Sequence, residues 1–234
     1  MRGKMFWSAF LLALSGAAAP GPLLSTTLAE SLKIGWIAGP LLMTGHSALE
    51  IILIVLISRG FARFLTRSSV QSALSMAGGL VLAWMGFLLL TGIPHLGAGS
   101  AAGSSSLTGL LSLVGAGALI SLANPYWSLW WATAGITQMA DGAVEGKGGV
   151  AAFSGGHLLA DWLWYCLVSA GMAAGRPFVS GLVYQILLGA VGMGMLIFAG
   201  YFFWKGLARW TAFFAAKRGR KPPGGGGIKL EKDT

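Results

Sequence analysis

The sequence predicts an all-α integral membrane protein. Six transmembrane helices form two inverted three-helix repeats, and the first and fourth helices are broken. Three observations predict this. The 234 residues are 55% hydrophobic and only 10% charged, whereas a soluble domain carries about a quarter charged residues. The apolar residues gather into six runs near the length of about 20 residues that a helix needs to cross hydrocarbon. One pattern is also written twice: Gly45-His46-Ser47-Ala48-Leu49-Glu50 and Gly156-His157-Leu158-Leu159-Ala160-Asp161.

The runs are Phe6–Leu28, Gly35–Ser58, Val70–Gly92, Leu107–Met139, Gly148–Met172 and Val179–Trp204. A membrane barrel would show short alternating segments instead. The first run contains Ala19-Pro20-Gly21-Pro22 and the fourth Ala123-Asn124-Pro125-Tyr126. Proline lacks an N–H and clashes with the preceding turn, so each sequence breaks its helix. The freed carbonyls and helix ends then need a cavity, water or a ligand. The positive N-terminal end of a half-helix suits a carboxylate. Residues 1–95 form the first three-helix repeat and 107–205 the second, joined by a Gly/Ser linker over 96–106. Three spans per half give the halves opposite orientations, as in many secondary transporters.

The repeated pattern carries the chemistry. The chain has three histidines and seven acidic residues, and only Glu50 and Asp161 lie deep inside apolar runs. A charged group at the centre of a membrane helix costs roughly 3 kcal/mol on insertion scales, so it needs a reason. At i and i+4 His46 and Glu50 share a helical face, as do His157 and Asp161. Such pairs are proton or cation coupling sites, or else polar contacts that hold the bundle. Gly35 and Gly146 each stand eleven residues before a histidine. Gly45 and Gly156 leave room for a neighbouring helix. Trp127, Trp130, Trp131, Trp162 and Trp164 read as packing or interface anchors, with an aromatic cavity wall as the alternative. His95 beside Pro94 is expected in the central connection.

The net charge of +9 does not mark a nucleic-acid protein, because Lys and Arg sit beside apolar runs rather than on a basic face. With a cytoplasmic N-terminus, fourteen Lys and Arg residues fall inside and two, Lys33 and Arg176, outside. The positive-inside rule then places both termini in the cytoplasm. The stretch 215–234 reads as a disordered basic cytoplasmic tail. Cys166 is the single cysteine, which excludes an internal disulfide and reads as a packing residue. Arg2, Lys4 and Ala17-Ala18-Ala19 resemble a cleavable signal. Apolar character resumes after Pro22, which favours a retained first span.

The ordered motifs resemble the LysE-type translocators, bacterial exporters of lysine, homoserine, threonine and related amino acids. The resemblance rests on Ala19-Pro20-Gly21-Pro22, on Gly35-Trp36-Ile37-Ala38-Gly39 through Gly45-His46, on Gly78-Gly79 through Trp84-Met85-Gly86, and on Asn124-Pro125. It runs from about residue 5 to 205. Tyr126 stands where the family typically has a basic residue, and Glu50 and Asp161 are not part of its common pattern. The wider superfamily also includes metal-ion transporters.

The resemblance implies a multi-pass transporter of the bacterial inner membrane, exporting an amino acid or related small metabolite in exchange for protons. The chain has no Gly-x-x-x-x-Gly-Lys loop for ATP. A metal-cation transporter and an intramembrane His/carboxylate enzyme are the alternatives, but no nucleophile set specifies an enzyme. The expected substrate site is Pro20, Gly21, Pro22, Asn124, Pro125 and Tyr126. The expected coupling site is His46, Glu50, His157 and Asp161. The partners are a small-molecule substrate, a proton or cation and the lipid bilayer. No cofactor or resident metal is expected, and a homodimer is left open.

Overall fold

A computed structural model describes residues 2–96, 107–178 and 181–217. The described residues form helices and no strand. Nearly all of the predicted linker and most of the predicted tail lie outside them.

Both expected helix breaks are present, and they are built alike. Helix α1 (Arg2–Ala17) stops before Pro20. Gly21 is extended, at φ −164° and ψ 179°, and Pro22 opens α2 (Pro22–Ile34). Proline suits a first helical position, where its missing N–H has no partner to lose. In the second half α6 (Leu107–Ala123) ends at Asn124, which is also extended, and Pro125 opens α7 (Pro125–Trp130). The Asn124 Oδ1 accepts the Tyr126 N–H at 3.0 Å and caps the new helix. A π turn over Trp131–Gly135 carries α7 into α8 (Ile136–Val144). The axis bends by 60° between α6 and this continuation.

The two glycines that precede the histidines by eleven residues also have a common role. Gly35 sits at φ 80°, ψ −161° and turns α2, through a 3-10 turn at Gly35–Ile37, into α3 (Ala38–Leu56). Gly146 sits at φ 73°, ψ −163° and opens α9 (Lys147–Gly175). This backbone region is essentially restricted to glycine. Each histidine therefore lies about three turns beyond a glycine corner. A π turn at Ile57–Phe61 leads from α3 to α4 (Ala62–Leu65). The remaining helices are α5 (Ser68–Leu96) and α10 (Gly181–Lys217).

The packing exchanges elements between the halves. Helix α1 lies along α9, α6 lies along α3, and α5 pairs with α10. Glycine permits both crossings. A Cβ on Gly45 would strike the backbone carbonyl of Val114, and one on Gly156 would strike that of Phe6. Close backbone approach is what holds helices together in lipid, where no hydrophobic gradient drives them. Burial is reversed relative to a soluble protein. Trp84 (63% exposed) and Ile197 (66%) face outward, while His46, Glu50, His157 and Asp161 are buried.

Contacts locate some of the basic residues at helix ends. Arg2 packs against Gly148, beside Lys147, at one end of the bundle. At the other end Ser169 of α9 donates to the Trp36 carbonyl at 2.8 Å and accepts the Gly39 N–H at 3.0 Å. That ties the Gly35 corner, next to Lys33, to the last turns of α9 before Arg176.

Among the described residues, four helical stretches are long and apolar enough to cross a membrane, and the bent pair of α6 with its continuation makes a fifth, one fewer than the six expected. The reason is the first break. Helix α1 has 16 residues, about 24 Å at 1.5 Å per residue, short of the roughly 30 Å hydrocarbon core. His95, expected in the connection, lies instead in the last turn of α5.

The tight glycine crossings give a test. Gly156→Ala should lower stability by about 1–3 kcal/mol through overpacking. The adjacent Gly155→Ala, whose Cβ would sit 3.7 Å from the Phe6 ring, should stay within about 0.5 kcal/mol. Melting in detergent reads both. Equal midpoints would mean that α1 and α9 do not approach through Gly156.

Candidate functional site

Helix α3 places His46 one turn before Glu50, and α9 places His157 one turn before Asp161. The pairs do not stay separate, because α3 and α9 pack together. The His46 Nε2 lies 3.3 Å from Glu50 Oε1 and 3.7 Å from Asp161 Oδ2. The His157 Nε2 lies 2.9 Å from the same Glu50 oxygen and 3.4 Å from the same Asp161 oxygen. The four groups therefore close a ring in which histidines and carboxylates alternate. The shortest edge joins the two halves. All four residues are at most 5% exposed.

Four side chains beyond the repeated pattern hold this ring. The Trp127 and Trp131 indoles each donate to Glu50 Oε1 at 3.1 Å. They stand one turn apart in the helix after the second break, so both point at the same oxygen. Trp130 stacks on the His157 ring at 4.7 Å. Gly135 makes room for these indoles, since a Cβ there would press on both Trp131 and Trp130. Ser121, three residues before the break, has its hydroxyl 2.7 Å from His46 Nδ1 and donates its own proton to the Gly117 carbonyl, also at 2.7 Å. A hydroxyl has one proton, so the Ser121 oxygen accepts from His46 Nδ1–H. That fixes the imidazole and aims its Nε2 at the carboxylates.

The ring forms one wall of a cavity between the halves. Asn124, Tyr126, Leu23 and Tyr165 complete it, and its lining includes no Lys or Arg. The space open to the centre of a water-sized sphere is about 50 Å³. That accommodates a few waters, at about one per 10–15 Å³. His46, Glu50 and Asp161 also present ligand atoms within 4.8 Å of one another, a spacing open to a metal ion.

The structure brings most of the expected site together. Gly21 and Asn124 face each other, and a Cβ on Gly21 would lie 3.6 Å from Asn124 Nδ2. The two breaks thus meet. Asn124 and Tyr126 line the cavity. Asn124 spends its oxygen on the cap, which leaves the Nδ2 donor. Pro20, Pro22 and Pro125 are structural neighbours rather than lining: Pro20 packs on Gly194, Pro125 packs on Gly78, and Pro22 is buried. The tryptophans read as anchors divide. Trp127 and Trp131 bind Glu50, Trp130 stacks on His157, and Trp162 donates to Ser47 at 2.8 Å. Their signal in the sequence was the i, i+4 spacing of Trp127 and Trp131 directly after the break. Nothing in the sequence marked Ser121.

Glu50 therefore depends on its indole donors. Trp127→Phe and Trp131→Phe should each cost about 1.5–3 kcal/mol, the worth of a hydrogen bond to a charged group. Trp84→Phe on the outward face should change little. Thermal unfolding in detergent compares them. If all three variants melt alike, the indoles do not carry Glu50.

Comparison with known proteins agrees with this architecture. Neither curated proteins nor solved structures give a match. The pattern of the LysE type translocator family matches residues 14–206, a stretch that contains both helix breaks, the ring and its tryptophans. The chain belongs to the LysE type translocator family, and it is a multi-pass membrane transporter.

Proposed function

We propose that this protein is a secondary exporter of an amino acid or related small metabolite in the bacterial inner membrane, driven by proton exchange. The observation that carries the reading is the convergence of both broken helices and both His/carboxylate pairs on one buried cavity. The breaks leave helix N-termini and the Asn124 amide without a committed acceptor, a setting for the anionic end of a substrate. The alternating ring holds protons between the halves. Carboxylates at this depth persist only when paired, protonated or wetted. Opening the cavity to one side would wet Glu50 and Asp161 and let them exchange protons with that side.

We read the six expected spans as α1 with α2, α3, α5, α6 with its bent continuation, α9 and α10. The alike breaks, the alike glycine corners and the crossed packing of α1 on α9 and α6 on α3 favour two halves related by a two-fold axis in the membrane plane. Both termini are placed in the cytoplasm by the charge bias.

Efflux from proteoliposomes against an amino-acid panel, with and without a pH gradient, tests the function. At least one solute should leave faster when the gradient is imposed, and no gradient-dependent flux of any would refute the reading. The ring has its own test. Glu50→Gln and Asp161→Asn should keep folding but remove the pH dependence of flux. If both variants fold and keep that dependence, these residues only hold the bundle together.

A further inference from the structure

The ring has the donor set, the spacing and the surroundings of a metal centre. Its four edges measure 2.9, 3.3, 3.4 and 3.7 Å. Ligands bound at about 2.0–2.2 Å to one ion stand roughly 2.9 to 3.5 Å apart, depending on geometry. His46, Glu50 and Asp161 present ligand atoms within 4.8 Å of one another, and small shifts bring them to that range. We propose that these three residues bind one first-row divalent transition-metal ion, through His46 Nε2 and one oxygen of each carboxylate, with His157 close beside the site.

The groups behind the ligands support this. Ser121 accepts a hydrogen bond from His46 Nδ1–H, which leaves the Nε2 lone pair of the neutral ring facing inward. Holding a ligating histidine through its other nitrogen is the usual second layer of a metal site. The two indoles orient Glu50 without competing as ligands. Glu50 Oε2 and Asp161 Oδ2 are buried and accept no hydrogen bond, so both carboxylates keep oxygen lone pairs for an ion.

Charge and size agree. Two carboxylates and two neutral imidazoles carry a charge of −2 in a cavity lined by no Lys or Arg. A divalent ion brings the buried site to neutrality. The space of about 50 Å³ suits an ion and a few waters. One nitrogen and two oxygen donors favour Zn²⁺ or Mn²⁺ over Mg²⁺ and Ca²⁺, which prefer oxygen alone. The sequence alone predicts no metal because each helix supplies at most two ligands. Three come together when α3 and α9 meet.

The inference deepens the transport reading, because the ion would occupy the groups that exchange protons there. Its test needs no flux. Purified full-length protein, stripped with a chelator and desalted, is titrated calorimetrically with Zn²⁺ and with Mn²⁺. Bound metal is then counted by elemental analysis, and thermal unfolding is followed with each ion. One ion per chain is expected, with a raised melting midpoint, and Mg²⁺ and Ca²⁺ should not reproduce it. His46→Gln and Asp161→Asn should each weaken binding at least tenfold. Ser121→Ala keeps every ligand and should weaken it roughly 10–100-fold.

No saturable binding to the wild-type protein would overturn the site, as would affinity unchanged in His46→Gln and Asp161→Asn or equal stabilisation by Mg²⁺. The wild-type titration and Ser121→Ala decide the matter if a ligand variant fails to fold. A protein with gradient-driven efflux but no metal binding overturns the metal site alone. One that binds metal but drives no efflux overturns the transport reading alone.

Discussion

Two carboxylates buried in an apolar bundle set the terms for the rest of this structure. Glu50 and Asp161 are 1% and 5% exposed, and neither is within reach of an arginine or lysine at the cavity. Leaving one buried charge unpaired costs about 3–5 kcal/mol, a large part of the total stability of a folded domain. The fold answers with partners from both halves. His157 of the second half makes the shortest contact to Glu50 of the first, and His46 of the first half reaches Asp161 of the second. The helices carrying these groups must pack together, so the halves cannot separate widely without exposing charge to hydrocarbon.

That requirement passes outward to the backbone. For α3 and α9 to present their polar faces to each other, the other helices must cross them closely. Gly45 receives α6 and Gly156 receives α1. Each of these glycines is the residue before a ring histidine, so a single dipeptide provides both the crossing and the charge partner. The corners at Gly35 and Gly146 set where each helix begins. The break at Asn124 redirects its helix so that Trp127 and Trp131 reach Glu50. A straight helix through residue 124 would have no reason to turn by 60° toward the ring.

Local features of this design were legible in the sequence because they are written locally. Proline chemistry revealed the breaks, and the i, i+4 spacing revealed the His/carboxylate pairs. The cross-pairing was not legible. Sequence spacing says that His46 can meet Glu50, but the closer partner of Glu50 is 107 residues away. The roles of the tryptophans were hidden for a related reason. An indole in an apolar helix reads as packing until a buried acceptor is found for its N–H. Ser121 is small and common in membrane helices, and only the position of His46 gives it a task. The number of spans depends on how the break near Pro20 is counted, since a run of apolar residues records hydropathy and not where a break divides it. The repeat was visible as a duplicated Gly-His-x-x-x-acid pattern, and the shared φ and ψ of Gly35 and Gly146 explain why a glycine precedes each copy by the same eleven residues.

The described lining of the cavity holds no lysine or arginine, and its charged groups form an acidic ring interleaved with histidines. Positive charge at this site is therefore exchangeable. It can be carried by protons on His46 and His157, by a metal ion, or by the ammonium group of a substrate drawn toward Glu50 and Asp161. Two of these cannot occupy the ring at once without leaving excess positive charge in low dielectric, where like charges repel strongly. Competition between them is the simplest physical basis for coupling here, because arrival of one cation releases another. The anionic end of an amino acid would find its donors on the opposite wall, at the Asn124 amide and the helix that starts with Pro125. A zwitterion could be held in this way without any lysine or arginine. On the transport reading, opening the cavity to admit one would wet the carboxylates that hold the halves together.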